Sequence, residues 1–153
     1  MTPAELEKFL YEQIPLATAL EIAVVHADDT SAEVKAPLYP NRNHMGTAFG
    51  GSLNAVMVLA GYAWLFQCME SRGHRGHVVL KESTIQYLLP VASDFSAVAK
   101  GPTGESFEKF LDGFERKGRS RVHVAIEVDT PSGVACRLNC EFVAKRADQA
   151  EVD

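Results

Sequence analysis

A polar, glycine-rich turn in the first third of the chain holds the residues best suited to chemistry. The turn reads Asn43-His44-Met45-Gly46-Thr47-Ala48-Phe49-Gly50-Gly51-Ser52, and it leads directly into an uncharged stretch from Leu53 to Met69. A glycine turn that opens a helix leaves backbone N–H groups without acceptors, and the helix dipole favours negative charge at the same point. The turn therefore predicts a place for an oxyanion or a polarised carbonyl group.

Length, charge and cysteine usage limit the possible classes of protein. The 153 residues, 46% of them hydrophobic, suffice for one domain with a real core. The net charge of -5 and the scattered basic residues argue against a nucleic-acid partner. The three cysteines, Cys68, Cys136 and Cys140, form no CxxC pair and are odd in number, so we expect no disulfide framework and a reducing cytoplasm.

No segment of the sequence is predicted to cross or enter a membrane. The first residues include acidic side chains and lack a basic start followed by an apolar core, so they are not predicted to be a signal peptide. The stretch from Leu53 to Phe66 is apolar, but it is short for a span and contains Asn54 and Gly61. A buried helix is the expected structure.

The first half of the chain predicts a helix, two strands and then the central helix. Thr2-Pro3-Ala4-Glu5 is a capping box with proline at the first helical position, and Pro15 closes the helix. Leu20 to Val25 and the alternating residues 31–38 read as two strands. After the turn, the helix is apolar on nearly every side and must therefore be wrapped on most of its circumference.

The second half predicts four further strands and one more helix. Residues 77–89 and 95–100 read as strands, and Thr103 is expected to cap an amphipathic helix that ends near residue 117. Residues 122–128 and 134–142 alternate cleanly and are joined by a hairpin, which is typical of an antiparallel sheet with one buried face. About six such strands bury the central helix only by curling around it. The predicted class is α+β, in the shape called a hot-dog fold.

The turn also resembles a known family. Asn43-x-x-Gly46-x-x-Phe49-Gly50-Gly51 is similar to the N-x-x-G-x-x-H-G-G turn of hot-dog thioesterases of the phenylacetate-pathway type. The stretch from Gly46 to Leu53, with Ile85-Gln86-Tyr87-Leu88-Leu89-Pro90, most resembles the thioesterase branch known as the YiiD C-terminal-like domain. The resemblance covers about residues 20–145.

The resemblance implies hydrolysis of acyl-CoA or acyl-carrier-protein thioesters by a homodimer or dimer of dimers, with the active site between two subunits and no cofactor. Gly51 matches the residue whose backbone N–H polarises the thioester carbonyl, and Asn43 matches the asparagine that positions substrate or water. The chain departs from the pattern at Phe49, where the histidine of H-G-G would stand. It also departs at Val58, in the region of the central helix that carries a catalytic carboxylate in that type.

The base that would activate water has two candidates. Glu82 is the first, because its apolar neighbours could desolvate and tune it, although it could equally face outward and pair with Lys81 or a cross-strand partner. His44 is the second, although loop histidines are usually exposed. Asn43 likewise has an alternative role as a turn-former. Six further residues are expected to bind substrate, with helix capping as the alternative for Ser52 and a structural hydrogen bond for Asn54: His44, Phe49, Gly50, Ser52, Asn54 and Ser83.

Two basic clusters are candidates for the CoA phosphates. They comprise Arg72 and Arg75 after the central helix, and Arg116, Lys117 and Arg119 after the second amphipathic helix. His74-x-x-His77 lacks a third ligand at metal-binding spacing, so no metal site is predicted.

The sequence is compatible with three functions, and thioester hydrolysis is the leading hypothesis. A non-catalytic acyl-CoA-binding protein is the alternative, because Phe49 and Val58 replace catalytic residue types. A dehydratase ranks last, since it needs a histidine paired with a carboxylate and His44 is the only local histidine.

Overall fold

The computed structural model describes residues 1–147 and has the predicted architecture, one antiparallel sheet with a long helix against its inner face. The helices are α1 (Pro3–Gln13), α2 (Leu16–Leu20), α3 (Gly50–Glu70) and α4 (Glu105–Lys117), with a 3-10 turn at Tyr39–Asn41. The strands are β1 (Ala23–Ala27), β2 (Ser31–Ala36), β3 (Gly76–Tyr87), β4 (Phe95–Lys100), β5 (Arg119–Thr130) and β6 (Gly133–Arg146). Their order across the sheet is β1-β2-β4-β5-β6-β3, so the predicted hot-dog fold is confirmed.

Helix α3 is the buried centre of the molecule. It is long and apolar enough to cross a membrane by length and composition alone, yet most of its side chains lie in the core. A Cβ atom at Gly61 would lie 2.8 Å from Cε2 of Phe142 on β6 and 3.3 Å from Cδ1 of Ile126 on β5. Glycine is therefore what allows the helix backbone to approach the sheet so closely. The expected buried helix is confirmed.

Strand β3 differs from the other long strands because it lies at an edge of the sheet. It pairs only with β6 in the part of the chain described here, and most of its 12 residues are exposed on both faces. The sequence pattern predicts one buried face for the sheet, and this holds for β5 and β6 but not for β3. The reason is that α3 lies over the centre of the sheet and leaves its β3 edge largely uncovered.

Two local predictions are wrong in detail, and a third is confirmed. The strand predicted to begin at Leu20 begins later, at Ala23. Leu20 is the last residue of α2, where Ala17 and Leu20 are buried at helical spacing, and Glu21 then turns the chain with a φ of 54°. Helix α4 begins after Gly104 at a φ of 61°, with no side-chain cap, so Thr103 does not cap it. The capping box of α1 is confirmed, since Thr2 and Glu5 exchange both hydrogen bonds, at 3.2 and 2.7 Å.

Candidate active site

Asn43 organises the glycine turn through its side chain. Its Oδ1 accepts hydrogen bonds from the N–H groups of Met45 and Thr47, at 2.8 and 3.2 Å, and its Nδ2 donates to Oγ1 of Thr47 at 2.9 Å. Gly46 completes the turn at a φ of 78°. Asn43 is therefore a turn-forming residue, and its Nδ2 has a second hydrogen with no acceptor within residues 1–147. Its role toward substrate or water stays a prediction.

The turn is tied to the rest of the fold by backbone hydrogen bonds and by Asn41. The N–H of Ala48 donates to the carbonyl of Val91, and the N–H of Phe49 donates to the carbonyl of Asn41, both at 2.7 Å. The Asn41 side chain is 2% exposed and donates to the carbonyls of Leu20 and Pro37 at 2.9 and 2.8 Å. Sequence reasoning missed Asn41, although an asparagine directly after Pro40 is a signal for a structured turn.

The first turn of α3 presents free backbone donors. Phe49 is the residue before the helix, and its side chain does not cap the helix. Its carbonyl accepts the first intrahelical hydrogen bond, from the N–H of Leu53 at 3.0 Å. The N–H groups of Gly50, Gly51 and Ser52 have no acceptor among the described residues. Ser52 lies inside the helix as its third residue, so the alternative that it caps the helix is wrong. The predicted cluster of N–H groups is present.

Phe49 and Tyr87 enclose these donors with aromatic rings. A Cβ atom at Gly51 would lie 2.6 Å from Cε1 of Phe49, so the Phe49 ring covers the glycine while remaining 56% exposed. The ring of Tyr87 would lie 3.4 Å from a Cβ atom at Gly50, and its hydroxyl donates to the Gly50 carbonyl at 2.9 Å. Desolvation raises the pKa of the Tyr87 phenol above its ordinary value. No role for Tyr87 is predicted from the sequence.

An apolar groove runs beside the start of the helix. It has a volume of about 370 Å³ and is lined by Gly50, Leu53 and residues 87–91. Large apolar side chains that line it are exposed, namely Tyr87, Leu88 and Leu89. A substrate with an apolar group could therefore place a carbonyl at the free N–H groups while its chain lies in this groove.

Glu82 and Ser83 lie on opposite faces of β3. Glu82 is paired with Glu141, and Ser83 with the buried Cys140. Paired residues of adjacent strands share a face, so Ser83 lies on the face of α3 and Glu82 on the outer face. Glu82 is also five residues from Tyr87, or roughly 17 Å along the strand. Its role as a base stays a prediction, and the sheet separates it from the donors of its own chain.

The open face of α3 carries Asn54 and no carboxylate in its first turns. Asn54 is half-buried, and its Oδ1 is buried with no partner among the described residues. Val58 and Tyr62 continue the same half-buried stripe along the helix. His44 is exposed on the turn. The structure therefore brings Asn43, Phe49, Gly50, Gly51, Ser52 and Asn54 together around the helix start, with His44 at its exposed edge.

The two basic clusters lie at the other end of α3, about 30 Å from Gly51 along the helix. Arg72 is held in place by Asp29, with contacts of 2.9 and 3.2 Å, and by the carbonyl of Cys68 at 2.9 Å. The hydrogen bond from Arg72 lowers the pKa of the Asp29 carboxyl. Arg116 is paired with Asp112 at 2.6 Å, whereas Arg75 and Arg119 are exposed.

The histidines after α3 have ordinary surroundings. His74 contacts Oε1 of Glu115 at 3.5 Å and packs its ring against Phe114. Within residues 1–147, no three histidine, cysteine or carboxylate side chains are grouped so that they could hold a metal ion.

Comparisons with known proteins bear on the family and the fold. The family model described as "Putative thioesterase (yiiD_Cterm)" matches residues 3–146. A solved structure of a protein of unknown function from Chlorobaculum tepidum TLS is 25% identical over 95% of this chain and 97% of that chain, with a TM-score of 0.87. A putative thioesterase from Shewanella oneidensis is 24% identical over 94% and 96%, with a TM-score of 0.84. A thioesterase from Haemophilus influenzae is 16% identical over 99% and 95%, with a TM-score of 0.76. The likeness to the last two is one of fold.

Proposed function

Because the chain belongs to this thioesterase family, we propose that it hydrolyses acyl thioesters, with acyl-CoA or acyl-carrier-protein as the substrate. In this reaction water forms a C–O bond at the carbonyl carbon, the C–S bond breaks, and a carboxylic acid and a thiol are released. The rate depends on stabilising the oxyanion that develops on the carbonyl oxygen.

The free N–H groups of Gly50, Gly51 and Ser52 are the observation that carries this proposal. They lie at the positive end of a 21-residue helix, where both the dipole and the donors favour a developing negative charge. The rings of Phe49 and Tyr87 border them, so part of the site is apolar and the donors act at lower dielectric than in bulk water. Gly51 is the proposed principal donor.

We assign the positioning of the attacking water to Asn43 in preference to Glu82, and the proton that the water loses ends on the departing thiolate. Asn43 lies in the turn itself and has one Nδ2 hydrogen to donate, whereas Glu82 lies on the outer face of the sheet. His44 and Ser83 remain proposed substrate contacts, since His44 is exposed beside Asn43 and Ser83 lies on the face of α3.

A second copy of the chain is the proposed partner, as a homodimer or dimer of dimers. The β3 edge has backbone groups that pair with no other strand within residues 1–147, and its exposed apolar side chains include Val79, Leu80 and Tyr87. Exposed edges of this kind pair readily with another strand. Pairing of two β3 strands would cover these residues and place a second subunit beside the groove.

The CoA phosphates are assigned first to Arg119, an exposed cation at the start of β5. Lys117, the last residue of α4, is the proposed second contact, whereas Arg116 and Arg72 are paired with carboxylates. Arg75 borders a separate cavity at the C-terminal end of α3. The free thiols of the three buried cysteines support a reducing cytoplasm as the proposed location.

A non-catalytic acyl-CoA-binding role is the second candidate. It is favoured by the absence of a carboxylate from Gly50–Gln67 and by the outward position of Glu82. The two functions differ in one measurable product, the thiol.

The deciding experiment incubates the protein with acyl-CoAs of two to sixteen carbon atoms and follows free thiol. Burial raises the pKa of the Cys68 and Cys140 thiols to about 11, so these groups will contribute little signal at neutral pH. Turnover of at least one acyl-CoA supports the thioesterase. A raised melting temperature with no released CoA would support the binding protein instead.

A further inference from the structure

A cavity of about 370 Å³ lies at the C-terminal end of α3. It is about 30 Å along the helix from Gly51 of the same chain, and the proposed hydrolysis does not use it. Its volume falls in the range of roughly 300–1,000 Å³ that is usual for small-molecule sites. Its floor is apolar and is formed by Phe66, Met69, Val78 and Phe114.

The rim of this cavity carries two cations and two histidines. Arg75 and Lys145 line it together with His74 and His77, and Glu70 is the one carboxylate among its lining residues within residues 1–147. Glu70 is already paired with the N-terminal ammonium group at 3.2 Å. The guanidinium of Arg75 is exposed and has no ion pair or hydrogen bond within residues 1–147. An anionic group at the rim would therefore meet an available arginine, while the nearby carboxylate of Glu115 contacts His74 at 3.5 Å.

We propose that this cavity binds a medium-chain fatty acid anion. The alkyl chain lies on the apolar floor, where burial contributes about 25 cal/mol per Å² of apolar surface. The carboxylate lies at the rim and accepts the two parallel N–H donors of the Arg75 guanidinium, a geometry that a planar carboxylate fits. His77 adds a further donor. The site lies at the opposite end of α3 from the glycine turn of the same chain, and a fatty acid is also what hydrolysis of an acyl thioester releases.

Titration calorimetry with three eight-carbon probes tests the chemistry of the ligand. Sodium octanoate is expected to bind at least about tenfold more tightly than 1-octanol, because a charge-assisted hydrogen bond is worth that or more. Octyl phosphate distinguishes a carboxylate site from a phosphate site. Binding of octanoate no tighter than octanol overturns the proposal, and so does clearly tighter binding of octyl phosphate.

Three variants test the location. Arg75→Gln is expected to weaken octanoate binding by at least about tenfold while leaving octanol binding unchanged. Val78→Trp fills the cavity and is expected to weaken both ligands. Lys35→Gln removes an exposed cation on β2 and is the matched control, with no expected change. Equal octanoate affinity of Arg75→Gln and the unmodified protein overturns the proposal.

Methionine methyl NMR keeps the test decisive even if Val78→Trp is unstable. The chain has four methionines, and Met69 lines the cavity whereas Met45 lies on the glycine turn. Octanoate is expected to shift the Met69 methyl signal, which the Met69→Leu variant identifies. A shift of the Met45 signal alone would show that octanoate binds at the glycine turn. That result would overturn the proposed site, whether or not the protein hydrolyses thioesters.

Discussion

The hydroxyl of Tyr87 donates a hydrogen bond to the carbonyl oxygen of Gly50 at 2.9 Å and so joins the end of β3 to the first residue of α3. The two residues are 37 positions apart in the sequence. This contact fixes the helix start against the sheet, and with it the direction of the N–H groups proposed to bind the thioester carbonyl.

Tyr87→Phe removes this hydrogen bond and retains the ring against Gly50. A typical hydrogen bond contributes about 0.5–1.5 kcal/mol, so we expect kcat/KM for a responsive acyl-CoA to fall by roughly two- to tenfold. The circular dichroism spectrum is expected to be unchanged. Steady-state kinetics check this, and full activity of the variant would show that the contact does not position the donors.

Gly51→Ala places a methyl group against the ring of Phe49, at a distance of 2.6 Å before relaxation. The ring or the turn must move, so turnover is expected to fall by at least about tenfold, as on losing a donor to the oxyanion. Thermal stability is expected to hold or rise, since alanine favours the helix.

Gly50→Ala is the matched control, because its methyl group would meet the Tyr87 ring at 3.4 Å. A much smaller loss is expected there. The double variant Phe49→Ala with Gly51→Ala relieves the contact and is expected to recover part of the activity. Equal losses in both single glycine variants would contradict a special role for Gly51.

Asn43→Asp separates the two roles of Asn43. The carboxylate can still accept the N–H groups of Met45 and Thr47, so the turn is retained, but the Nδ2 donor is lost. We expect turnover to fall by at least about tenfold with little change in melting temperature. Unchanged kinetics would limit Asn43 to forming the turn.

Glu82→Gln tests the first base candidate of the sequence analysis. Because Glu82 lies on the outer face of β3, we expect turnover to change by less than about twofold. Its pH–rate profile should overlay that of the unmodified protein. A loss of tenfold or more would make Glu82 the general base and would remove the preference for a water held by Asn43.

Asp29 makes stability depend on pH. The hydrogen bond from Arg72, followed by that from Ser71, lowers the pKa of Asp29 below its ordinary value of 3.8. A carboxyl with a lowered folded-state pKa stabilises the protein above its unfolded pKa, and this contribution is lost as the pH falls through the folded pKa. The stabilisation by Asp29 therefore begins to fall below about pH 4 and is lost progressively as the pH decreases further.

Asp29→Asn should reduce the free energy of unfolding at pH 7, by less than about 1 kcal/mol because the side chain is 53% exposed. Its stability should also fall less steeply than that of the unmodified protein between pH 4 and pH 2. Urea unfolding at several pH values measures both. Asp112→Asn, at an exposed pair within α4, is the control, and an equal pH effect there would argue against the Asp29–Arg72 contact as the cause.

The β3 edge predicts the assembly of the protein. Light scattering coupled to size exclusion should give at least twice the 16.7 kDa of one chain. Leu80→Lys places a charge on this edge and is expected to shift the mass toward one chain. Val25→Lys, at a comparably exposed residue of β1 on the opposite edge, should not. A single-chain mass for the unmodified protein would contradict the proposed dimer.

Local patterns in the sequence suffice for most of the fold. The alternation of β5 and β6 and the apolar run of α3 reflect burial by the nearest elements, which is why the six strands and the wrapped helix could be predicted. The glycine turn could be located for the same reason, since Gly46, Gly50 and Gly51 act within a few residues of one another.

The face of Glu82 could not be predicted, because it depends on a β-bulge. The pairing of β3 with β6 shifts between Leu80 and Glu82, so Leu80 opposes Phe142 whereas Glu82 opposes Glu141. One extra residue reverses the faces of all that follow. Asn41 and Tyr87 were missed for a different reason. Asn41 binds the distant carbonyl of Leu20 and Tyr87 that of Gly50, and no periodicity indicates such contacts.

The missing side-chain cap at the start of α3 lowers the stability of the helix but leaves its N–H groups free for the proposed activity. A serine or aspartate in place of Phe49 would satisfy one of the free N–H groups, and such caps are worth about 1 kcal/mol. Selection for thermal resistance alone would therefore favour a side chain that occupies the proposed oxyanion site. A stabilised version of this protein must gain its free energy elsewhere, and an apolar residue at position 49 is a cost that a working enzyme would retain.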